Sequence, residues 1–318
     1  MKKFSAVIML SISLSLAAGI NSAMAKSNEI AVIVKTANSN FWQNVNKGAM
    51  TAGSEMAGKY KVTFQGPEAE TQVAEQVNMV DNAINRGVAG IVLAPSDPDA
   101  LIPVVKKAWE NGIAVVLIDS SLNTKAEKYY QAFLSTDNRK AGALAAQELL
   151  KANGKEGKVS IMSFTPGAGS AIDRVGGFTD VIKKDSQLKI IGPFYSQADM
   201  ATALNQTIDV LSSNKDITAL FGANEPTAVG MARAIKQMGY AGKVVAVGFD
   251  GNDALQEFVR NGTLNGIVVQ SSYQMGLKGV KTVDNILNKV KVDKFIDTGV
   301  VYIDKNNIDS AEAKAVLY

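Results

Sequence analysis

A chain of 318 residues with 33 basic and 30 acidic side chains, no cysteine and no histidine excludes several kinds of chemistry at once. It has no histidine to act as general base near neutral pH or to activate a serine or cysteine nucleophile, and no cysteine for a disulfide framework or thiolate metal site. The near balance of charge gives no electrostatic case for nucleic acid or an anionic membrane surface, so a binder is favoured over an enzyme before any motif is considered.

In chain order, the basic head "MKK", the run "FSAVIMLSISLSLAAGI" and the closing "NSAMA" predict a secretory signal peptide over residues 1–25, removed after Ala25. No cysteine follows that site to carry a lipid. Removal takes away Lys2 and Lys3 and no acid, leaving a net charge near +1. The first strand, "EIAVIV", hands over through Lys35, Asn38, Ser39 and Asn40 to a helix opened by Phe41 and Trp42. "KVTF" follows, then "VAEQVNMVDNAINRG", where Val73, Val77, Val80 and Ile84 recur at helical spacing and Gly87 supplies a left-handed stop. "GIVLAP" leads to the helix "DALIPVVKKAWENG", with Trp109 expected in its core face. "AVVLID" ends on Asp119, and "AFLST" ends at a short polar seam, Ser135 to Asn138.

Beyond the seam come the helix "RKAGALAAQELLKANG" and the strand "KVSIMSF". The Gly-rich loop "TPGAGSAID" then opens a helix carrying Arg174. "KIIGPF" precedes "ALFGAN", which ends on Asn224 and Glu225 before the helix "TAVGMARAIKQMG". "KVVAVGFD" ends on Asp250, "NGIVVQ" on Gln270, and "GVVYID" precedes a polar turn, "DKNNID". Continuous Val/Ile/Leu runs bounded by helices are buried parallel strands of βαβ units. Two comparable halves of about five such units predict an α/β chain of two doubly wound, Rossmann-like lobes, with the ordered seam as part of a hinge.

Ligands of open α/β sheets sit outside the carboxyl ends of the strands. Those ends hold Asn40, Phe41, Trp42, Asp119, Asn224, Asp250 and Gln270, with Arg174 at a neighbouring helix start. Carboxylates, carboxamides and a guanidinium suit hydroxyls that both donate and accept, and flat rings suit the C–H faces of a sugar. Each residue also has a plain reading: Phe41 and Trp42 as a core plug, Asp119 and Asp250 as helix caps, Arg174 as an ion-pair partner. Their recurrence at equivalent strand ends favours a binding role. "PGAGSAIDRVGG" lacks the third glycine of a dinucleotide fingerprint, "ANGKEGKVS" fails as a P-loop, and "DKNNID" lacks the glycine and glutamate of a calcium loop, so no metal or cofactor is expected.

In order and together, "KTANSNFWQNVNKGA", "GIVLAPSDPDAL", "IAVVLIDS", "STDNRKAGALAA", "DRVGGF", "ITALFGANEPTAVGMARAIK", "VVAVGFDG" and "GIVVQSSYQMGLKGV" resemble the periplasmic sugar-binding proteins of the ribose-binding type. "KTANSNFW" is especially similar to the allose-binding member. The resemblance implies two lobes, 26–136 with 271–299 and 137–270 with 300–318, crossing near Thr136, Gln270 and Gly299. It implies a periplasmic monomer that binds a monosaccharide and delivers it to the permease of an ABC importer, with a chemoreceptor as a further candidate partner. By position it makes Phe41 and Trp42 an aromatic clamp and Ser39, Asp119, Arg174, Asn224, Asp250 and Gln270 polar contacts. Lys35 is added by the allose-type match, and Asn40 stands in for the family's usual asparagine. Ser120 replaces an arginine and Ala198 an aromatic, with Tyr195 a nearby substitute, so ribose itself is disfavoured and a hexose, ketose or polyol stays open. The competing readings are a polyol or furanosyl signal molecule on the same fold, an exported carbohydrate-active enzyme using Asp119 and Asp250, and the sensing half of a repressor.

Overall fold

The computed structural model describes residues 27–124 and 128–318; the predicted signal peptide lies outside them. One sheet contains β1 (Glu29–Ile33), β2 (Lys61–Gln65), β3 (Gly90–Leu93), β4 (Ala114–Ile118), β5 (Ala132–Ser135) and, from far downstream, β11 (Phe295–Asp297). Its strands pair in parallel, in the order β11-β5-β4-β3-β1-β2. It is packed by α1 (Asn40–Glu55), α2 (Val73–Asn85), α3 (Ile102–Glu110) and α9 (Ser272–Leu287). The other sheet contains β6 (Lys158–Ser163), β7 (Lys189–Tyr195), β8 (Ala219–Gly222), β9 (Val245–Phe249), β10 (Gly266–Gln270) and β12 (Val300–Asp304). Its order is β12-β10-β9-β8-β6-β7, with β12 antiparallel to β10. Its helices are α4 (Asn138–Asn153), α5 (Gly169–Asp185), α6 (Met200–Ser213), α7 (Glu225–Gln237), α8 (Asp253–Arg260) and α10 (Ala311–Lys314).

The strands read as unbroken apolar runs because both faces are covered. Ile30, Val32 and Val34 pack with Val45 and Ala49 of α1 and Met275 and Val280 of α9. Ala31 and Ile33 face the opposite layer, with Val80 and Ile84 of α2 and Val104 of α3. Period-two alternation therefore feeds two cores at once, each fully buried Val or Ile contributing about 1.5–3 kcal/mol. Trp109 departs from expectation: α3 buries Val104, Val105 and Ala108, and Trp109, one residue further round, is 40% exposed. β11 has no counterpart among the expected strands, being three residues long and largely exposed. "DKNNID" forms the expected turn, with Asp304 Oδ1 accepting from the backbone N–H of Asn306 and Asn307.

Helices α4 and α5 approach closely enough to need glycine. A Cβ on Gly142 would lie 1.9 Å from the carbonyl oxygen of Arg174, and one on Gly177 the same distance from that of Arg139. Since the first of these contacts is the backbone of Arg174, the seam between the helices sets the position of that side chain. Gly142→Ala should therefore destabilise the chain by about 2–3 kcal/mol, as overpacking does, in urea denaturation. The same substitution at open Gly169, which has no neighbour within 4 Å, should cost far less.

The described chain passes between the sheets three times: after β5, after β10 and between β11 and β12. Two of these passages touch, Thr136 Oγ1 donating to the carbonyl of Gly299 at 3.3 Å.

Candidate functional site

The carboxyl ends of both sheets face one shared cavity. Nine of the ten expected site residues line it: Lys35, Ser39, Phe41, Trp42 and Asp119 from the first half, and Arg174, Asn224, Asp250 and Gln270 from the second. Asn40 does not. It is exposed, at the first position of α1, with its backbone N–H and not its carboxamide turned toward the second half. The phase of the helix start explains this correction: Ser39 is the N-cap, its Oγ accepting from Trp42 N, which points the next side chain outward. Tyr195 lies elsewhere too, lining a separate surface groove with Ile172, while Ala198 lies in the side cleft beside Glu68.

Phe41 and Trp42 are both cavity wall and core. They are 5% and 3% exposed, belong to the apolar cluster under α1, and meet edge-to-face with centroids 4.8 Å apart. The indole Nε1 donates to Glu70 Oε1 at 3.4 Å, which fixes the ring's orientation.

The two strand-end aspartates share a backbone device. Asp119 follows β4 with φ +62° and Asp250 follows β9 with φ +73°, left-handed values that Asp tolerates better than most residues. Such a turn at the end of a parallel strand aims each carboxyl into the cavity, and this local strain is placed at the candidate site. Asp119 Oδ2 pairs with Lys35 Nζ at 2.6 Å, with both side chains buried. Lys35 also donates to Ser120 Oγ at 2.7 Å and, across the cleft, to Ser170 Oγ at 3.2 Å. Ser120 is thus part of a lysine network.

Arg174 is 2% exposed. Its Nε and Nη2 donate to Asn138 Oδ1 at 3.2 and 2.7 Å, its Nη1 to the carbonyl of Ala223 at 2.5 Å, and its guanidinium carbon lies 3.6 Å from the ring centre of Phe249. Burial pushes its pKa down and the carboxylates of Asp250, Asp119 and Glu70 oppose that shift. Asp250 Oδ1 accepts from Gln270 Nε2 at 2.9 Å and Oδ2 from Glu225 N at 3.1 Å, so it caps α7 from the next strand. Asn224 is the N-cap of that helix through Oδ1, which accepts from Thr227 N. Gln270 Oε1 is buried with no partner among the described residues.

Five further residues line the cavity, beyond those that the strand-end rule and the resemblance single out: Glu70, Phe164, Ser170, Glu225 and Pro226. Phe164 directly follows β6, within reach of that rule, and Glu225 follows Asn224. Glu70 lies in the loop after β2, with no motif to mark it.

The cavity therefore gathers two cations and four carboxyl groups, with burial as the leading cause of raised pKa values for three of the carboxyls. Glu70 is pushed up by burial against the opposing charge of Lys35. Asp250 rises to about 6 through burial, countered by Arg174. Glu225 rises to about 7 through burial and the charge of Asp250. A carboxyl whose folded pKa exceeds its unfolded one stabilises the fold at low pH and loses that contribution as pH rises through the folded value. These groups should therefore make the melting temperature higher at about pH 5.5 than at about pH 7.5, each tenfold difference in proton affinity between folded and unfolded chain being worth about 1.4 kcal/mol. Thermal melts across that range check the sign.

Among the described residues, no group of three or more Asp, Glu, His or Cys side chains is placed to hold a metal ion. The arrangement offers fixed donors and acceptors facing flat rings.

Comparison with known proteins assigns the class. A periplasmic binding protein domain matches residues 30–291, and the chain belongs to that family. It is 31% identical to the D-allose-binding periplasmic protein of Escherichia coli (strain K12), over 80% of this chain and 82% of that one. Among solved structures, an ABC transporter solute-binding protein from Agrobacterium vitis with bound D-fucose matches with a TM-score of 0.90 and 64% identity, covering 91% of this chain and all of that one. A carbohydrate transporter solute-binding protein from Agrobacterium radiobacter, in complex with D-arabinose, matches with a TM-score of 0.88 and 34% identity, covering 93% and 100%. The resemblance read from the motifs and the two-sheet α/β fold are both borne out.

Proposed function

We propose that this chain captures one neutral monosaccharide between its two halves and delivers it, chemically unchanged, to the permease of an ABC importer. The observation that carries this reading is a single cavity walled by Phe41 and Trp42 from one half and by Arg174, Asn224, Asp250 and Gln270 from the other. A sugar hydroxyl donating to Gln270 Oε1 would satisfy an acceptor that the described residues leave unpaired. The rings offer an apolar wall to the sugar's C–H face, and Lys35, Asp119, Arg174 and Asp250 offer charge-assisted bonds worth about 1.5–3 kcal/mol each. D-Fucose is the first ligand to test, because the 64% identical relative holds it; D-arabinose and D-allose follow from other relatives.

The halves are 26–136 with 271–299 and 137–270 with 300–318, and they close about the passages near Thr136, Gln270 and Gly299. Bonds from both halves form together only in the closed state, so the ligand selects it. Asp119 is held by Lys35 and Asp250 by Gln270 and Glu225, which favours carriage over glycoside hydrolysis. The chain acts as a periplasmic monomer after residues 1–25 are removed, with the permease, and in a wider role a chemoreceptor, docking on its closed outer face.

A thermal-shift screen of sugars and polyols tests the reading. A ligand at about one hundred times its Kd stabilises the chain by about 2.7 kcal/mol, which shifts the melting point by several degrees. Flat responses to D-fucose, D-arabinose, D-allose and the remaining panel would overturn it.

A further inference from the structure

Helix α1 begins with three N–H groups to satisfy, and its own half supplies a side-chain acceptor for one. Ser39 Oγ accepts from Trp42 N, whereas Asn40 N and Phe41 N donate to Glu225, at 3.2 Å to Oε1 and 2.8 Å to Oε2. Glu225 belongs to the other half, at the N-terminus of α7, 184 residues away in sequence from Phe41. The first turn of α1 contains no acidic residue of its own. Glu225 thus caps α1 from across the cleft, where the helix dipole favours a negative group. A third donor, Tyr318 Oη, reaches Oε2 at 3.0 Å. Tyr318 is itself held by its N–H to Gly251 O, while its ring packs on the apolar cluster of the first half.

The seat is buried, and among the described residues no cation is bonded to Glu225. The residue is 5% exposed and makes no ion pair there. The charged and titratable groups around it are Asp250 at the end of β9, Tyr318 and, lining the same cavity, Glu70, Asp119, Lys35 and Arg174. Lys35 is committed to Asp119, and Arg174 to Asn138 and Ala223.

We propose that Glu225 couples ligand capture to proton uptake: closing the halves moves its carboxyl from water into this seat beside Asp250, and the closed form holds the proton more tightly than the open one. This rests on the capture reading above. Burial, the larger effect, and the neighbouring carboxylate of Asp250 favour the neutral acid; the donors Tyr318 Oη, Phe41 N and Asn40 N favour the anion but are outweighed, leaving the pKa raised to about 7. The sign follows directly. The state with the higher pKa binds more protons, so lowering the pH toward about 6 favours closure and tightens binding, and raising it loosens the closed form.

The test is titration calorimetry with D-fucose at about pH 6 in phosphate and in Bis-Tris, buffers that differ in ionisation enthalpy. Wild type should take up close to one proton per sugar at that pH and almost none above about pH 8.5. Glu225→Gln should remove most of the buffer dependence. Tyr318→Phe, which deletes a donor that stabilises the charged form, should extend uptake to higher pH. Buffer-independent heats in the wild type, or full uptake retained by folded E225Q, would overturn the coupling and leave sugar capture standing. Absence of heat from D-fucose, D-arabinose and D-allose alike would overturn the capture reading and the coupling with it.

Discussion

Arg174→Ala is expected to weaken sugar binding by at least two orders of magnitude and to destabilise the chain by about 3–5 kcal/mol, the range for removing one partner from a buried charged network. The side chain is buried, three of its donors are used inside the protein, and its guanidinium carbon lies over the ring of Phe249. Alanine leaves Asn138 Oδ1 and the carbonyl of Ala223 without those donors. It also removes the cation that favours ionisation of Asp250, so the pKa of Asp250 should rise further. Urea denaturation reads the stability loss and calorimetry with the wild-type ligand the loss of affinity. Unchanged affinity in a folded variant would remove Arg174 from the site.

Lys35→Met should be nearly as costly to the fold. Methionine matches the stem of lysine but removes the charge 2.6 Å from Asp119 Oδ2. An uncompensated buried carboxylate costs about 3–5 kcal/mol. The cost should shrink in the double variant Lys35→Met/Asp119→Asn, which removes the unpaired carboxylate as well. The paired denaturation curves of the single and double variants distinguish a buried ion pair, which gives this pattern, from simple loss of packing, which the second substitution does not relieve. Lys35 also bridges the cleft through Ser170, so ligand affinity should fall in the single variant beyond the stability loss.

Much of this architecture is legible in the sequence because buried parallel strands carry their own signature. Runs such as "GIVL" and "AVVLI" are apolar on both faces since helices cover both, and each ends where the chain turns toward the cavity. The same rule reaches Asp119, Asn224, Asp250 and Gln270. Residues that come to the cavity by tertiary placement escape it. Glu70 arrives on a loop without a motif, and its place at the cavity and its bond to Trp42 Nε1 come only from the folded chain. Asn40 fails for a local reason: with Ser39 as N-cap, its side chain projects outward. The exposure of Trp109 depends on helical phase, since the apolar stripe of α3 is already filled by Val104, Val105 and Ala108. Tyr195, at the end of β7, lies on the outer groove with Ile172, while Phe164 supplies the second half's ring at the cavity. The role of Glu225 as a cap for α1 depends on the two halves meeting and has no local signature in either segment.

The most direct measurement is a crystal structure of the protein grown with D-fucose. The account predicts the unmodified sugar in the shared cavity, one face against Phe41 or Trp42 and its hydroxyls on Arg174, Asp250 and Gln270. A sugar bound elsewhere, or a cleaved or altered product in the cavity, would contradict it.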